Sequence, residues 1–203
     1  MYLTRMELDV RKTETMKALV SPNLLHGAVE HALPEERGRH LWRIDTLGGR
    51  EYLMILSAGI PNLGHAMDQF GKNGTVPETK DYTPLLNRVQ KGGVWHFRLV
   101  ANPAKTISRT RRVLSHITVD YQKKWLLDRS EKNGFHLEND DFDVTWTKRY
   151  NFLKSGLNRV QFTAAAFDGR LIISDVASFR SALTEGIGRE RAYGMGLLTI
   201  VGG

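Results

Sequence analysis

The sequence predicts an α+β protein built from two ferredoxin-like (RRM-like) domains in tandem, each with the element order βαββαβ. Signals for a strand, a helix, a hairpin, a second helix and a last strand follow one another in residues 1–91, and the same order returns in residues 92–203. The length of 203 residues suits two domains of roughly 100 residues each. We therefore expect an N-terminal domain over 1–91 and a C-terminal domain over 92–203.

Periodicity and turn residues predict the elements of the first half. Polar and apolar residues alternate from Tyr2 to Asp9, which predicts a strand. Ser21 as a cap before Pro22 predicts the start of a helix that continues to Leu33 with apolar residues at helical spacing. Two β-prone runs flank Gly48-Gly49 and predict a hairpin. The remaining expectations are a polar segment at 11–20 that leads to this helix (a polar approach), a helix from Pro61 to Gly71 and a strand near Thr83–Val89.

The second half begins after a boundary at Lys91–Gly93. Val94–Ala101 predicts a strand, and residues 104–117 are basic and irregular. A helix is predicted from Thr118 to Asn133, with Tyr121 among its buried residues. The remaining expectations are an elaboration at Gly134–Gly156, a hairpin of Val160–Phe167 and Arg170–Ile173 around Asp168-Gly169, a helix capped by Ser174 or Asp175, and a last strand at Leu197–Val201.

A glycine-rich stretch, residues 186–196, connects the last helix to the last strand and is called the glycine loop below. It contains four glycines and two arginines: Gly186, Gly188, Gly194, Gly196, Arg189 and Arg191. Amide N–H groups in such a loop can form a concavity for phosphate, to which arginine adds charged contacts. A plain helix-to-strand connection with a capping glycine is the alternative. The loop lacks the Gly-Lys-Ser/Thr ending of a nucleoside-triphosphate loop and follows a helix rather than a strand. Both features argue against an enzyme that hydrolyses nucleotides or transfers hydride.

The charge and composition of the chain indicate which kinds of binding partner it can have. The net charge is +7, and residues 93–203 contribute +6 of it with 17 Lys and Arg against 11 Asp and Glu. A basic C-terminal half favours a nucleic acid or an anionic membrane surface as partner. The chain has no cysteine, so disulfides and thiolate metal sites are excluded. No apolar run approaches the ~20 residues of a membrane span, and the charged start is unlike a signal peptide, so we expect a cytoplasmic protein.

His26 is the candidate for chemistry, although an ordinary surface histidine is the alternative. It lies beside the apolar stripe of the first predicted helix, and histidine can both accept and donate protons near neutral pH. The other six histidines show no ligand spacing, and residues 138–143 lack the glycine and glutamate of a calcium loop, so no metal site is predicted. Acid–base cleavage of RNA fits such a chain because the 2′-hydroxyl is an internal nucleophile. RNP1 aromatic residues are absent from the predicted strands, which favours RNA contact through basic loops and helices.

Three stretches resemble the CasE family, the CRISPR RNA-processing endoribonucleases of type I-E systems. They are Met1–Arg5, the string Phe-Arg-Leu-Val-Ala-Asn-Pro-Ala-Lys-Thr at 97–106, and Gly186–Leu198. The resemblance spans nearly the whole chain. It implies tandem ferredoxin-like domains, cleavage at the base of a CRISPR repeat hairpin, and retention of the product in the Cascade surveillance complex with other subunits. Because attack by the 2′-hydroxyl requires no metal, we expect no metal or other cofactor.

The resemblance also implies roles for individual residues. His26 occupies the place of the family's acid–base histidine, Asn23 stands where some members have tyrosine, and Arg191 stands where lysine is frequent. The products would be a 5′-hydroxyl and a 2′,3′-cyclic phosphate or 3′-phosphate. A non-catalytic RNA-binding subunit and a scaffold for an acidic protein partner stay open as alternatives. The residues predicted to bind RNA are Arg98, Lys105, Arg109, Arg111, Arg112, Lys154, Gly186, Gly188, Arg189, Arg191, Gly194 and Gly196.

Overall fold

The computed structural model describes residues 1–33, 40–106, 113–154 and 158–202. Its first sheet has the strand order β2-β3-β1-β4 with antiparallel neighbours throughout. The first and third strands are therefore central, as in a ferredoxin-like domain, and β2 is an edge strand. The elements are β1 (Tyr2–Glu7), α1 (Thr13–Val20), α2 (Asn23–Ala32), β2 (Leu41–Leu47), β3 (Arg50–Ser57), α3 (Gly64–Phe70), β4 (Glu78–Asp81) and α4 (Thr83–Arg88).

The second sheet repeats this arrangement with the order β11-β5-β10-β8, and β9 also pairs with β10. Its first and third strands, β5 and β10, are again central. The tandem ferredoxin-like architecture predicted from the sequence is thereby confirmed. The elements are β5 (Val94–Ala101), β6 (Ala104–Thr106), β7 (Val113–Ser115), α5 (Val119–Ser130), β8 (Phe135–His136), β9 (Phe142–Leu153), β10 (Arg159–Ile173), α6 (Val176–Glu185) and β11 (Leu198–Gly202).

The two sheets share part of one hydrophobic core. Helices α1, α2 and α3 cover the first sheet around Met6, Leu25 and Phe70. A larger cluster in the second domain also contains Leu41 and Leu56 of the first. Because burial of apolar surface is the main favourable contribution to packing, this shared cluster holds the two sheets in a defined relative position.

Two predictions for the first half were wrong. Residues 11–20, expected as a polar approach to the first helix, contain helix α1, which buries Thr15 and Ala18. The strand expected near Thr83–Val89 is helix α4, preceded by the short strand β4. A proline in its first turn and the Asp81 carboxylate, which accepts a hydrogen bond from the Thr83 amide, both favour the start of a helix.

The hairpin predicted around Asp168-Gly169 was also wrong. Strand β10 continues through both residues from Arg159 to Ile173. Glycine is needed at 169 because a side chain there would collide with Asp141 and Phe142 on the neighbouring segment. Asp168 faces Arg98 on β5 and binds its guanidinium, so the pair forms a cross-strand ion pair rather than a turn.

Three smaller expectations also need correction. Gly134–Gly156 is no elaboration, because it contains β8 and β9, which take the place of the second strand of the domain. Tyr121 is 62% exposed, because α5 instead turns Gln122, Trp125 and Leu126 inward. Ser21 does not cap α2, since Pro22 precedes that helix without a side-chain hydrogen bond. In the part of the chain described, no helix is long and apolar enough to cross a membrane.

Candidate active site

Helix α2 places His26 at the border between core and solvent. Leu25, Ala28 and Val29 are buried against the first sheet, which fixes the rotation of the helix about its axis. His26 is displaced from that stripe, and 31% of its side chain is exposed. Its Nδ1 lies 3.8 Å from Oε1 of Glu30, one turn further along the helix, and forms an ion pair when the ring is protonated. The ring is therefore held by the core yet accessible to a ligand.

The glycine loop leaves the second domain and packs on β2 of the first. A Cβ added at Gly186 would lie 2.8 Å from Cδ2 of Leu41, and one at Gly194 would lie 2.7 Å from Cζ3 of Trp42. Both glycines also have positive φ, +77° and +80°. Glycine at these two positions therefore lets the loop approach the neighbouring domain closely.

The concavity of free amides expected in the glycine loop is not formed by three of its glycines. The Gly186 amide donates to Ala182 O, Gly194 to Arg191 O, and Gly196 to Val100 O, at 3.0, 3.2 and 2.7 Å. These N–H groups are occupied within the protein, which corrects the prediction of a backbone phosphate nest. Contact of the four glycines with RNA stays a prediction, and the arginine side chains are the parts of the loop suited to phosphate.

His26 and the glycine loop line one cleft of about 530 Å³ between the two domains. The ring of Tyr193 in the loop meets the His26 ring edge-on, with centroids 6.4 Å apart and planes at 74°. The structure thus brings His26 together with the two arginines of the loop across 160 residues of sequence. The cleft is lined by His26, Glu30 and His40 from the first domain and by Gly188, Arg189, Glu190, Arg191 and Ala192 from the loop.

Charged groups of the loop give the cleft its electrostatic character. The exposed Arg189 lines the cleft, while Arg191 donates through Nη2 to Gly186 O at 2.9 Å and so braces the loop. Burial raises the pKa of the Glu190 carboxyl, and the neighbouring Arg189 acts against this shift. Glu190 was not among the residues predicted from the sequence, although its position between two cationic residues in a glycine-rich loop was a usable signal.

A network of ion pairs and hydrogen bonds joins the two domains at strand β2. Arg43 on β2 is 2% exposed and binds both carboxylate oxygens of Asp45, at 2.8 and 2.6 Å. The same guanidinium donates to the carbonyl oxygens of Arg98 and Leu197 and to the hydroxyl of Thr199 in the second domain. Edge strand β2 is therefore joined to the second sheet through one buried arginine.

Of the other cationic residues predicted to bind RNA, the three that the structure describes do not line the cleft. The Arg98 guanidinium donates a hydrogen bond to Asp168 at 2.6 Å and lies 3.7 Å from Asp45. The hydrogen bond to Asp168 raises the pKa of Arg98. Lys105 on β6 and Lys154 after β9 are exposed. Arg109, Arg111 and Arg112 lie outside the described residues.

Two further findings concern the chemistry that the site could use. Asn23 lies one turn before His26, and its Oδ1 is buried without a hydrogen-bond partner among the described residues. Within the same part of the chain, no group of three or more histidine, aspartate or glutamate side chains is arranged to hold a metal ion.

The protein thus has two ferredoxin-like domains, with a histidine and cationic side chains in the cleft between them. The profile of a family described as "CRISPR associated protein" matches residues 1–201. The chain therefore belongs to this family of CRISPR associated proteins, and the resemblance to the CasE family is confirmed.

Known proteins support this assignment over the full length. CRISPR-associated endoribonuclease Cse3 of Thermus thermophilus is 29% identical over 213 residues, covering 98% of this chain and 99% of that protein. The structure of CRISPR endoribonuclease Cse3 bound to a 19-nucleotide RNA has a TM-score of 0.83 at 25% identity, covering 99% of this chain and 100% of the other. A chain of a CRISPR RNA-guided surveillance complex has a TM-score of 0.68 at 25% identity, with 99% of both chains covered.

Proposed function

We propose that this protein is an endoribonuclease that cleaves the repeat stem-loops of precursor CRISPR RNA. The observation that carries the proposal is the placement of His26 in one cleft with Arg189 and Arg191 of the glycine loop. A proton-transfer group and two cations at one place match the needs of a phosphodiester reaction. The full-length similarity to an endoribonuclease and to an RNA-bound structure supports RNA as the substrate.

The reaction that fits this cleft uses the RNA's own nucleophile. The 2′-oxygen attacks the adjacent phosphorus, the bond to the 5′-oxygen breaks, and the proton lost from the 2′-hydroxyl is balanced by one gained at the leaving oxygen. His26 performs one of these two proton transfers. The products are a 5′-hydroxyl end and a 2′,3′-cyclic phosphate, or the 3′-phosphate formed when the ring opens. The step needs no metal.

Arginine side chains in the cleft serve the phosphate. Arg189 is exposed on the loop, where its guanidinium can pair with two phosphate oxygens at once. The predicted cationic residues outside the cleft, including Lys105 and Lys154, would contact the backbone of the stem. Because such contacts release counterions, RNA affinity should fall steeply with salt.

We infer that the protein keeps its product and acts with other subunits of Cascade. The match to a chain of a CRISPR RNA-guided surveillance complex over 99% of both chains supports this inference. We place the reaction in the cytoplasm, because the substrate is a transcript of the genome. We further propose that the first domain, residues 1–91, carries the catalytic helix and that residues 92–203 carry the basic surface and the glycine loop.

The test is cleavage of the cognate repeat RNA by purified protein in EDTA. We expect a single cut, a 5′-hydroxyl end and a 2′,3′-cyclic phosphate, with both ends identified by mass spectrometry. A repeat with 2′-deoxyribose upstream of the cleaved phosphate should bind with unchanged affinity and stay intact. Cleavage of that substrate, or dependence on added metal, would refute the mechanism. Tight binding without cleavage would assign the protein to a non-catalytic RNA-binding role.

A further inference from the structure

Cleavage by an internal 2′-hydroxyl involves two proton transfers, and His26 can perform only one of them at a time. The side chain one turn before His26 on the same helix is that of Asn23. An amide side chain neither gains nor loses a proton near neutral pH. The second proton-transfer group must therefore come from elsewhere in the cleft, and this inference rests on the function proposed above.

The titratable residues of the cleft differ in their suitability. Arginine stays protonated, which excludes Arg189 and Arg191 as bases. Glu30 lies on the same helix as His26 with Oε1 3.8 Å from its ring, where it can orient the imidazole. His40 also lines the cleft, but it is only 8% exposed, so little of its side chain is accessible to a substrate. Glu190 comes from the glycine loop of the other domain, so it and His26 line the cleft from two different walls.

The backbone at Glu190 supports a role for its side chain. Its φ is +60°, and it is the one non-glycine with positive φ among the described residues. Positive φ in the same loop occurs at Gly186, Gly188, Gly194 and Gly196, where it causes no steric cost. A glutamate in this conformation is strained, and such strain concentrates at functional sites. Glu190 therefore adopts a backbone conformation that elsewhere in this loop is adopted by glycine.

We propose that Glu190 is the general base and His26 the general acid of the cleavage reaction. The Glu190 carboxylate takes the proton from the 2′-hydroxyl while the 2′-oxygen forms its bond to phosphorus. The bond from phosphorus to the 5′-oxygen breaks, and the His26 imidazolium gives its proton to that oxygen. One proton enters the protein and one leaves it, so the net charge of the pair is unchanged.

The surroundings of Glu190 suit this role. Burial raises the pKa of its carboxyl and makes it a stronger base than an exposed glutamate, while Arg189 limits the shift and so favours the ionised form. His26 lies next to Glu30, whose carboxylate can pair with the imidazolium needed for proton donation. The other charged and titratable residues that line the cleft with Glu190 are His26, Glu30, His40, Arg189 and Arg191.

A substrate with sulfur in place of the leaving 5′-oxygen separates the two roles. A thiolate leaves without protonation, so the general acid becomes dispensable and the general base does not. In single-turnover reactions on the normal repeat, Glu190→Gln and His26→Ala should each lose about 10²–10⁴-fold in rate. On the sulfur substrate, His26→Ala should recover most of the wild-type rate, and Glu190→Gln should keep its defect.

Two variants guard against a purely structural effect. Glu190→Gly removes the carboxylate and also removes the strain, because glycine adopts a positive φ without steric cost. This variant should fold well and still cleave RNA slowly. Glu185→Gln removes an exposed carboxylate at the end of α6 and should cleave as the wild type does. The four variants, Glu190→Gln, His26→Ala, Glu190→Gly and Glu185→Gln, should bind repeat RNA with similar affinity. The rate of the wild type should also fall at acidic pH as Glu190 is protonated, and this decline should be missing in Glu190→Gln.

The outcomes are distinct. Wild-type rates in both Glu190→Gln and Glu190→Gly would overturn the assignment of Glu190 and leave the proposed endoribonuclease intact. Rescue of Glu190→Gln but not of His26→Ala by the sulfur substrate would overturn the assignment of roles. A wild-type protein that binds the repeat and never cuts it would overturn both the base and the proposed function.

Discussion

The ring of His26 in the first domain meets the ring of Tyr193 in the second, with centroids 6.4 Å apart and planes at 74°. Tyr193 itself is 8% exposed and stacks on Phe162 at 5.8 Å. The histidine is therefore positioned by the core of the other domain as well as by its own helix. This contact joins helix α2 to the glycine loop.

Truncation of Tyr193 should separate packing from chemistry. Tyr193→Ala removes a buried ring and should destabilise the protein by about 3–5 kcal/mol, since it leaves a cavity in an aromatic cluster. It should also slow RNA cleavage at temperatures where the variant is still folded, because His26 loses its edge contact. Tyr193→Phe keeps the ring and serves as the control. Urea unfolding and single-turnover cleavage measure both effects, and an equal rate in the two variants would contradict a positioning role.

A methyl group at Gly194 should destabilise the interface between the domains. Gly194→Ala adds a Cβ 2.7 Å from the Trp42 ring at a φ of +80°. Overpacking costs about 1–3 kcal/mol, and the left-handed backbone adds roughly 1 kcal/mol. Gly74 has the same φ of +80° with open space around it, so Gly74→Ala reports the backbone cost alone. Similar urea midpoints for the two variants would show that the approach to Trp42 is unimportant.

Loss of the buried arginine should weaken the association of the two sheets. Arg43→Met leaves the Asp45 carboxylate, 7% exposed, without its bidentate partner, and should cost about 3–5 kcal/mol. Arg5→Met breaks a bidentate pair with Glu78 on the surface, where both side chains are 42% and 54% exposed, and should cost less than about 1 kcal/mol. Calorimetry on both variants makes the comparison. Replacing Arg43 and Asp45 together by apolar residues should recover part of the loss.

His136 should make stability depend on pH. Its Nδ1 is 2.7 Å from Glu131 and its Nε2 is 3.6 Å from Glu138, and the hydrogen bond to Glu131 raises its pKa. The folded protein therefore binds this proton more tightly than the unfolded chain. The stabilisation is complete below the unfolded pKa of about 6.5 and disappears as pH rises through the folded pKa.

The measurement for His136 is the urea midpoint of His136→Gln and wild type at about pH 5 and about pH 8. We expect a larger difference between the two proteins at the lower pH. His96→Gln, at an exposed histidine on β5, provides the control. A difference that is the same at both pH values would contradict the ion pairs of His136.

Elements with strong local signals could be predicted from the sequence, whereas those determined by distant contacts could not. The apolar spacing of α2 and the glycine pair before β3 are local, and both elements formed as expected. The continuity of β10 through Gly169 depends on Phe142, which is distant in sequence. Helix α1 buries Thr15 and Ala18, neither of which is a large apolar residue.

The same distinction holds for the site. His26 could be identified through the family resemblance, because its motif is local. Its proximity to Arg189 and Glu190 depends on how the second domain packs against β2, and no local pattern encodes that arrangement. The conformation of Glu190 is likewise a property of the folded loop.

We propose that His26 transfers a proton during cleavage of repeat RNA. The most direct test is the single-turnover cleavage rate of His26→Ala on the cognate repeat hairpin in EDTA, with affinity for the same RNA measured in parallel. We predict a loss of about 10²–10⁴-fold in rate with little change in binding. An unchanged rate of cleavage would show that His26 does not transfer a proton in the reaction.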